Sequence, residues 1–104
     1  MKKVIGKKLF DTEKSELIHQ YSNGFPVGDF EHYSESLYQT KNGRLFIHGY
    51  GGAKSKYSRQ HGNSISSGEN IYLLDDEYEA VRWLERHNGT EALLSYFGSL
   101  IEEG

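Results

Sequence analysis

Residues 36–49 carry the clearest structural pattern in the chain and read Ser36-Leu37-Tyr38-Gln39-Thr40-Lys41-Asn42-Gly43-Arg44-Leu45-Phe46-Ile47-His48-Gly49. Two strand-like runs flank the short polar segment that contains Asn42-Gly43. Asn-Gly between two such runs is typical of a hairpin turn, because both residues tolerate the positive φ that a tight turn needs. We therefore predict a central β-hairpin, and its turn should fix the positions of Leu37, Thr40, Phe46 and Ile47.

The N-terminal segments before this hairpin also favour strands. Residues 4–10 mix β-branched and large apolar side chains with Lys, which predicts one first strand. Residues 17–22 alternate in a way that favours a second strand. Asp11 or Thr12 could instead cap a short helix, so segment 12–22 stays open between strand and helix. The only Pro, Pro26, lies in a predicted loop over residues 23–28.

The segment after the hairpin is polar and rich in glycine and serine. Residues 49–68 therefore predict a long loop, and loops of this length are often mobile or functional. A short apolar run over residues 71–74 predicts a further strand.

The C-terminal third has the pattern of two helices. Asp75 or Asp76 can cap the first helix, and Gly89 can end it in a left-handed conformation. Thr90 is placed to cap the second helix, which should include Gly98 in its interior. The predicted buried residues of the two helices are Ala80, Val81, Leu84, Leu93, Phe97, Leu100 and Ile101.

Strands followed by helices predict an α+β fold. We expect a single domain over residues 1–104, with an antiparallel sheet of about four or five strands and both helices packed on one face. Hydrophobic residues make up 36% of the chain and include eight Tyr, which indicates a thin core completed by aromatic side chains.

Several classes of function are disfavoured by composition. The chain has no Cys, which excludes disulfides, thiolate zinc sites and a cysteine nucleophile. None of the five His lies at the i, i+4 spacing of a helical metal site. The glycine-rich segment 49–55 lacks the frame of a phosphate-binding loop. We expect no cofactor, no metal and no catalytic site, so the chain is predicted not to be an enzyme.

The apolar runs are short. None approaches the roughly 7–15 residues of a signal peptide or the ~20 of a membrane span, so we expect a cytoplasmic protein with no membrane partner.

The charge is divided along the chain. Residues 1–68 carry ten Lys or Arg against six Asp or Glu, a balance of +4, whereas residues 69–104 carry two against nine, a balance of −7. Such asymmetry indicates a charged partner, although acidic residues also occur on ordinary solvated helices. If they form a binding surface for a basic partner, its residues are Asp75, Asp76, Glu77 and Glu79.

A second candidate surface lies in the glycine-rich loop, where cations alternate with aromatic residues. This pattern is typical of contacts with single-stranded nucleic acid. Three cations support only weak binding, and the acidic C-terminal third would repel a polyanion, so direct nucleic-acid binding is the disfavoured alternative. The loop residues are Tyr50, Lys54, Lys56, Tyr57 and Arg59.

Four segments together resemble a family of small proteins encoded by phages and mobile elements of Gram-positive bacteria. The segments are Gly6–Thr12, Leu37–Phe46, Gly49–Tyr57 and Glu79–Glu85, and the central family pattern is LYxTxxGxxFLxGxGGxxSxY. The departures are small, with Phe10 in place of Tyr and Ile47-His48 in place of the Leu-x pair.

Some members of that family are associated with anti-CRISPR activity. The resemblance therefore implies an inhibitor that acts inside the bacterial host by stoichiometric binding to a CRISPR effector protein or complex. An acidic face of such a protein can occupy a basic nucleic-acid channel. No catalytic role carries over, and the sequence leaves open whether the acidic helices or the 49–68 loop form the interface.

Overall fold

The fold is described by a computed structural model that covers residues 1–104. Two short 3-10 turns, Thr12–Lys14 and Gly98–Leu100, accompany the strands and helices. The strands are β1 (Lys2–Ile5), β2 (Lys8–Asp11), β3 (Glu16–Ser22), β4 (Tyr33–Gln39), β5 (Leu45–Gly51), β6 (Arg59–His61), β7 (Ser64–Ser66) and β8 (Gly68–Leu73), and the helices are α1 (Glu77–Arg86) and α2 (Thr90–Phe97).

The main sheet has four antiparallel strands in the order β3-β4-β5-β8. β4 and β5 form the predicted central hairpin, in which Leu37 pairs with Ile47. The hairpin prediction is confirmed, but its turn needs only one left-handed residue. Gly43 has a φ of +83°, whereas Asn42 is not among the residues with positive φ.

The predicted α+β class is confirmed, with both helices at the C-terminus against one face of the sheet. Because side chains alternate along a strand, every second residue of β4 and β5 points toward the helices. Phe46 therefore points the other way and packs with Phe10 and Ile71 on the opposite face. The core under the helices consists of Leu37, Leu45, Ile47, Ala80, Val81, Trp83, Leu84, Leu93 and Phe97.

The first predicted strand is in fact a hairpin. Gly6 and Lys7 have φ values of +57° and +67°, which turn the chain back so that β1 pairs with β2. A left-handed Lys is uncommon because its Cβ crowds the following carbonyl. Gly6 suits such a turn, but the type of the second residue, Lys7, does not indicate it.

Segment 12–22 forms the favoured strand over most of its length, and only a short 3-10 turn stands where the alternative helix would begin. The favoured strand is present as β3 from Glu16 onward. Asp11 also caps a short turn, since its Oδ1 accepts a hydrogen bond from the Glu13 amide at 3.0 Å. The turn is too short to be the helix that the cap suggested.

The prediction that residues 49–68 form one long loop is wrong in its extent. β5 continues to Gly51, and β8 begins at Gly68 rather than at Ile71. Between them, β6 and β7 form a small hairpin of their own. Polar strands with exposed faces lack the apolar alternation by which strands are recognised.

The end of α1 uses a different left-handed residue from the predicted one. Asn88 has a φ of +58°, whereas Gly89 has a φ of −87°. Glycine is favoured at position 89 for space, because an added Cβ would lie 2.6 Å from the Leu84 Cδ2 atom.

The second helix is shorter than predicted and lacks the predicted cap. Gly89 is its N-cap residue, and no side chain caps it, so Thr90 is the first helical residue instead. The helix ends at Phe97, which places Gly98 outside it. Leu100 and Ile101 still pack against the core from the turn that follows.

Neither helix combines the length and the apolar character needed to cross a membrane.

The two predicted caps provide a test of this description. Asp76→Ala should lower the free energy of unfolding by about 1 kcal/mol, because the Asp76 carboxylate accepts from the Glu79 amide at the start of α1. Thr90→Ala should change it by less than about 0.5 kcal/mol, because Thr90 makes no capping bond. Urea unfolding measures both values, and equal losses would contradict this assignment of the caps.

Candidate functional site

The four acidic residues lie together where β8 ends and α1 begins. Asp75, Asp76 and Glu77 are exposed, and Glu79 is partly exposed. Two of them act as local caps: the Glu79 amide donates to Asp76 Oδ1 at 3.0 Å, and the Asp75 amide donates to Glu79 Oε2. These donors are uncharged amides, and none of the four carboxylates forms an ion pair with a basic side chain.

A shallow cleft of about 330 Å³ adjoins these carboxylates. It lies between the β4–β5 turn and the junction of β8 with α1. Its lining combines acidic and apolar side chains with one cation, Arg44, and Leu73 is 37% exposed. The lining residues that matter here are Asp75, Asp76, Glu77, Leu73 and Leu74.

The five loop residues do not form one surface. Tyr50 is exposed on the face of the sheet opposite the helices, and Lys54 is exposed nearby. Arg59 donates from Nη2 to the Glu69 carbonyl at 2.6 Å. Lys56 and Tyr57 instead reach toward the sheet, where Tyr57 is buried and the Lys56 side chain remains 53% exposed.

Lys56 and Tyr57 both contact Glu35, a residue that the sequence did not single out. Glu35 lies on β4 and is only 1% exposed. Lys56 Nζ lies 2.7 Å from Glu35 Oε2, and the Tyr57 hydroxyl donates to the same oxygen. Trp83 of α1 donates from Nε1 to Oε1 at 3.0 Å. One carboxylate thus joins the sheet, the loop and a helix.

The position of Gly49 makes room for this arrangement. Gly49 pairs with Glu35 across the β4–β5 hairpin. A Cβ at position 49 would lie 1.9 Å from Tyr57 Cζ, so only glycine leaves space for the Tyr57 ring. The ring can therefore cross the strand and bring its hydroxyl to the carboxylate.

Two further groups complete the surroundings of Glu35. The Tyr72 hydroxyl lies 3.4 Å from Oε2, and His87 Nε2 lies 3.9 Å from Oε1. The His87 ring lies against the Tyr21 ring with 3.8 Å between their centres, and the backbone carbonyl of His87 accepts from His19 Nε2 at 2.9 Å. His87 Nδ1 is buried without a hydrogen-bond partner.

The ionisation of the cluster follows from these contacts. Burial acts to raise the pKa of the Glu35 carboxyl, but the hydrogen bonds donated to it outweigh burial, so the pKa lies below its ordinary value. Burial and the Glu35 charge raise the pKa of Tyr57, and they raise the pKa of Tyr72 to about 12. Both phenols therefore remain donors at neutral pH.

His87 stays neutral in this environment. Burial lowers the pKa of His87, and the positive charges of Arg86 and Lys56 lower it further, against the raising effect of Glu35. A charged imidazole at this place would leave its Nδ1 proton without an acceptor.

The arrangement holds the chain together rather than presenting a reactive group. Both oxygens of Glu35 already accept hydrogen bonds, and the carboxylate is shielded from solvent. The sequence offered one indication of it: Glu35 has the same strand parity as Leu37 and must therefore point into the core. No three His, Asp or Glu side chains gather as a possible set of metal ligands.

Comparisons with known proteins found no similarity. No protein-family model matches the chain, and no curated protein or solved structure matches it.

The contact with Glu35 predicts that two lysines of one loop differ in their contribution to the stability of the fold. Lys56→Ala should lower the free energy of unfolding by about 1–3 kcal/mol, because it removes a charged donor from a buried carboxylate. Lys54→Ala is the matched control and should change stability by less than about 0.5 kcal/mol. Chemical denaturation of both variants tests this, and equal stability would show that Lys56 contributes nothing to the cluster.

The lowered pKa of Glu35 predicts a dependence of stability on pH. The ionised group stabilises the fold above its unfolded pKa of about 4.3, and this contribution is lost as the pH falls through the lower pKa of the folded state. Wild type and Glu35→Gln should be compared by denaturation from neutral to strongly acidic pH. The advantage of the wild type should shrink on acidification, whereas a constant difference would contradict the assignment.

Proposed function

We propose that this protein is a non-enzymatic inhibitor of a bacterial CRISPR effector, encoded by a phage or mobile element. It binds the effector stoichiometrically in the cytoplasm of the host cell. Its acidic surface, defined as Asp75, Asp76, Glu77 and Glu79, blocks access of nucleic acid to the effector. The observation that carries the proposal is the exposure of this surface with its charges uncancelled, together with the family resemblance of the sequence.

Charge complementarity supports this choice of partner. CRISPR effectors hold nucleic acid in positively charged channels. A protein surface of opposite sign speeds association and suppresses partners of like charge. Residues 69–104 carry a balance of −7, and they include the whole acidic surface.

The cleft beside the acidic surface supports a contact with basic side chains in particular. Lys and Arg have aliphatic stems that pack on apolar surface while their charged heads stay near solvent or an acid. Leu73 and Leu74 can contact such stems, and Asp75 and Glu77 are placed for the charged heads.

The alternative function, nucleic-acid binding through the basic loop, has less support. Lys56 is paired with Glu35, so its charge is cancelled by a buried carboxylate. The remaining cations of the loop are Lys54 and Arg59, and Arg59 already donates to a backbone carbonyl. Affinity for phosphates depends on the number of free cations, so this loop would bind a polyanion weakly.

The proposal predicts the effect of reversing two acidic charges. Asp75→Lys with Glu77→Lys spares both capping side chains, Asp76 and Glu79, so the fold should persist. Because desolvated charge pairs at interfaces are worth about 1.5–7 kcal/mol each, the half-inhibitory concentration should rise by at least about tenfold. Cleavage of DNA by purified, guide-loaded effectors of several CRISPR types measures the inhibition.

The matched control reverses Glu102 and Glu103, which are exposed near the C-terminal end and change the net charge equally. This control should inhibit almost as well as the wild type, and circular dichroism should show both variants folded. Full inhibition by Asp75→Lys with Glu77→Lys would refute the role of the acidic surface. Complete inhibition far below one copy per effector would refute stoichiometric binding, and a gel shift on DNA by the protein alone would favour the alternative.

A further inference from the structure

A second cleft shares no lining residue with the one beside the acidic surface and has a different chemistry. It is formed by the 27–30 loop, the end of β5 and the β6–β7 hairpin, and it measures about 440 Å³. This volume falls within the range of ordinary ligand sites. The side chains that characterise its lining are Val27, Asp29, Phe30, His32, Tyr50 and Ile65.

Three apolar side chains that line the cleft are largely exposed to solvent. Val27 is 82% exposed, Phe30 is 63% exposed and Ile65 is 59% exposed. They come from separate parts of the sequence and meet around one depression. Apolar side chains gathered in this way, rather than scattered singly, mark an interaction site.

The walls of the cleft are held in place by the backbone. The Gly52 amide donates to the His32 carbonyl and the Lys54 amide donates to the Phe30 carbonyl, both at 2.8 Å. The His32 ring is buried, and its Nδ1 atom lies 2.7 Å from the Phe25 carbonyl oxygen. This contact connects the end of the loop to its beginning. A site whose walls are already fixed loses less conformational entropy on binding.

One charged residue lines this otherwise uncharged cleft. Asp29 Oδ1 accepts from the Glu31 amide at 2.8 Å, and the Asp29 carboxylate forms no ion pair. Its second oxygen, Oδ2, accepts no hydrogen bond from within the protein. An acid beside Phe30 and Tyr50 suits a cation that is also flat, because a guanidinium can stack on aromatic rings while it donates to a carboxylate.

We propose that this cleft binds an arginine side chain of a partner protein. The guanidinium pairs with Asp29 and lies against the rings of Phe30 and Tyr50, and the apolar side chains around the cleft cover the aliphatic stem. Lysine fits less well, since its ammonium is a compact point charge that cannot stack as a plane. The proposal does not rest on the acidic surface or on the identity of its partner.

The test is a titration of the isotope-labelled protein, followed by amide resonances, with the blocked tripeptide acetyl-Ala-Arg-Ala-amide. A single side chain in a shallow site should bind in the millimolar range. Saturable shifts are expected at the amides of Gly28, Gly52 and Ser66, which border the cleft. The same peptide with lysine or with neutral citrulline in place of arginine should bind at least several-fold more weakly.

Asp29→Asn should lower the affinity for the arginine peptide by about tenfold or more, because a charged hydrogen bond is lost. This variant keeps an amide oxygen to accept from Glu31, so the loop should persist, and the spectrum itself reports folding. The neighbouring Glu31→Gln is the matched control and should bind as the wild type does. The proposal would be overturned if the citrulline or lysine peptide bound as tightly as the arginine peptide, or if Asp29→Asn bound it as the wild type does. Resonance shifts that lie away from the cleft, or that do not saturate, would overturn it as well.

Discussion

The buried carboxylate of Glu35 is the constraint on which the packing of this small protein depends. An ionised group that is almost inaccessible to solvent destabilises the fold unless donors replace its lost water. Those donors come from Lys56 and Tyr57 in the loop and from Trp83 in α1. The need to satisfy one carboxylate therefore fixes the loop and the first helix on the same face of the sheet.

The central turn and the buried cluster depend on each other through strand register. The turn at Asn42-Gly43 sets the pairing that places Glu35 opposite Gly49. A slip of one residue would point Glu35 to the other face and would put a side chain where the Tyr57 ring must lie. A local turn thus determines a contact far from it, and the contact in turn makes other registers unfavourable.

This dependence explains how far the sequence alone could predict the structure. The hairpin and the start of α1 are encoded by neighbouring residues, so their patterns were sufficient to locate them, although the choice between Asp75 and Asp76 as the cap stayed open. The turn at Lys7 has a left-handed residue that no local preference indicates, and the polar strands β6 and β7 lack apolar alternation.

The Glu35 cluster is harder to predict, because its hydrogen-bond partners lie 22, 37 and 48 residues away in the chain. Such separation also explains why Lys56 and Tyr57, which look like surface residues in sequence, serve the interior. Lys56 is paired with a buried acid, whereas Asp76 and Glu79 accept only from backbone amides. The internal contacts of the fold therefore occupy one cation of the basic loop and leave the acidic surface without an ion pair, and the proposal of a positively charged partner rests on this difference.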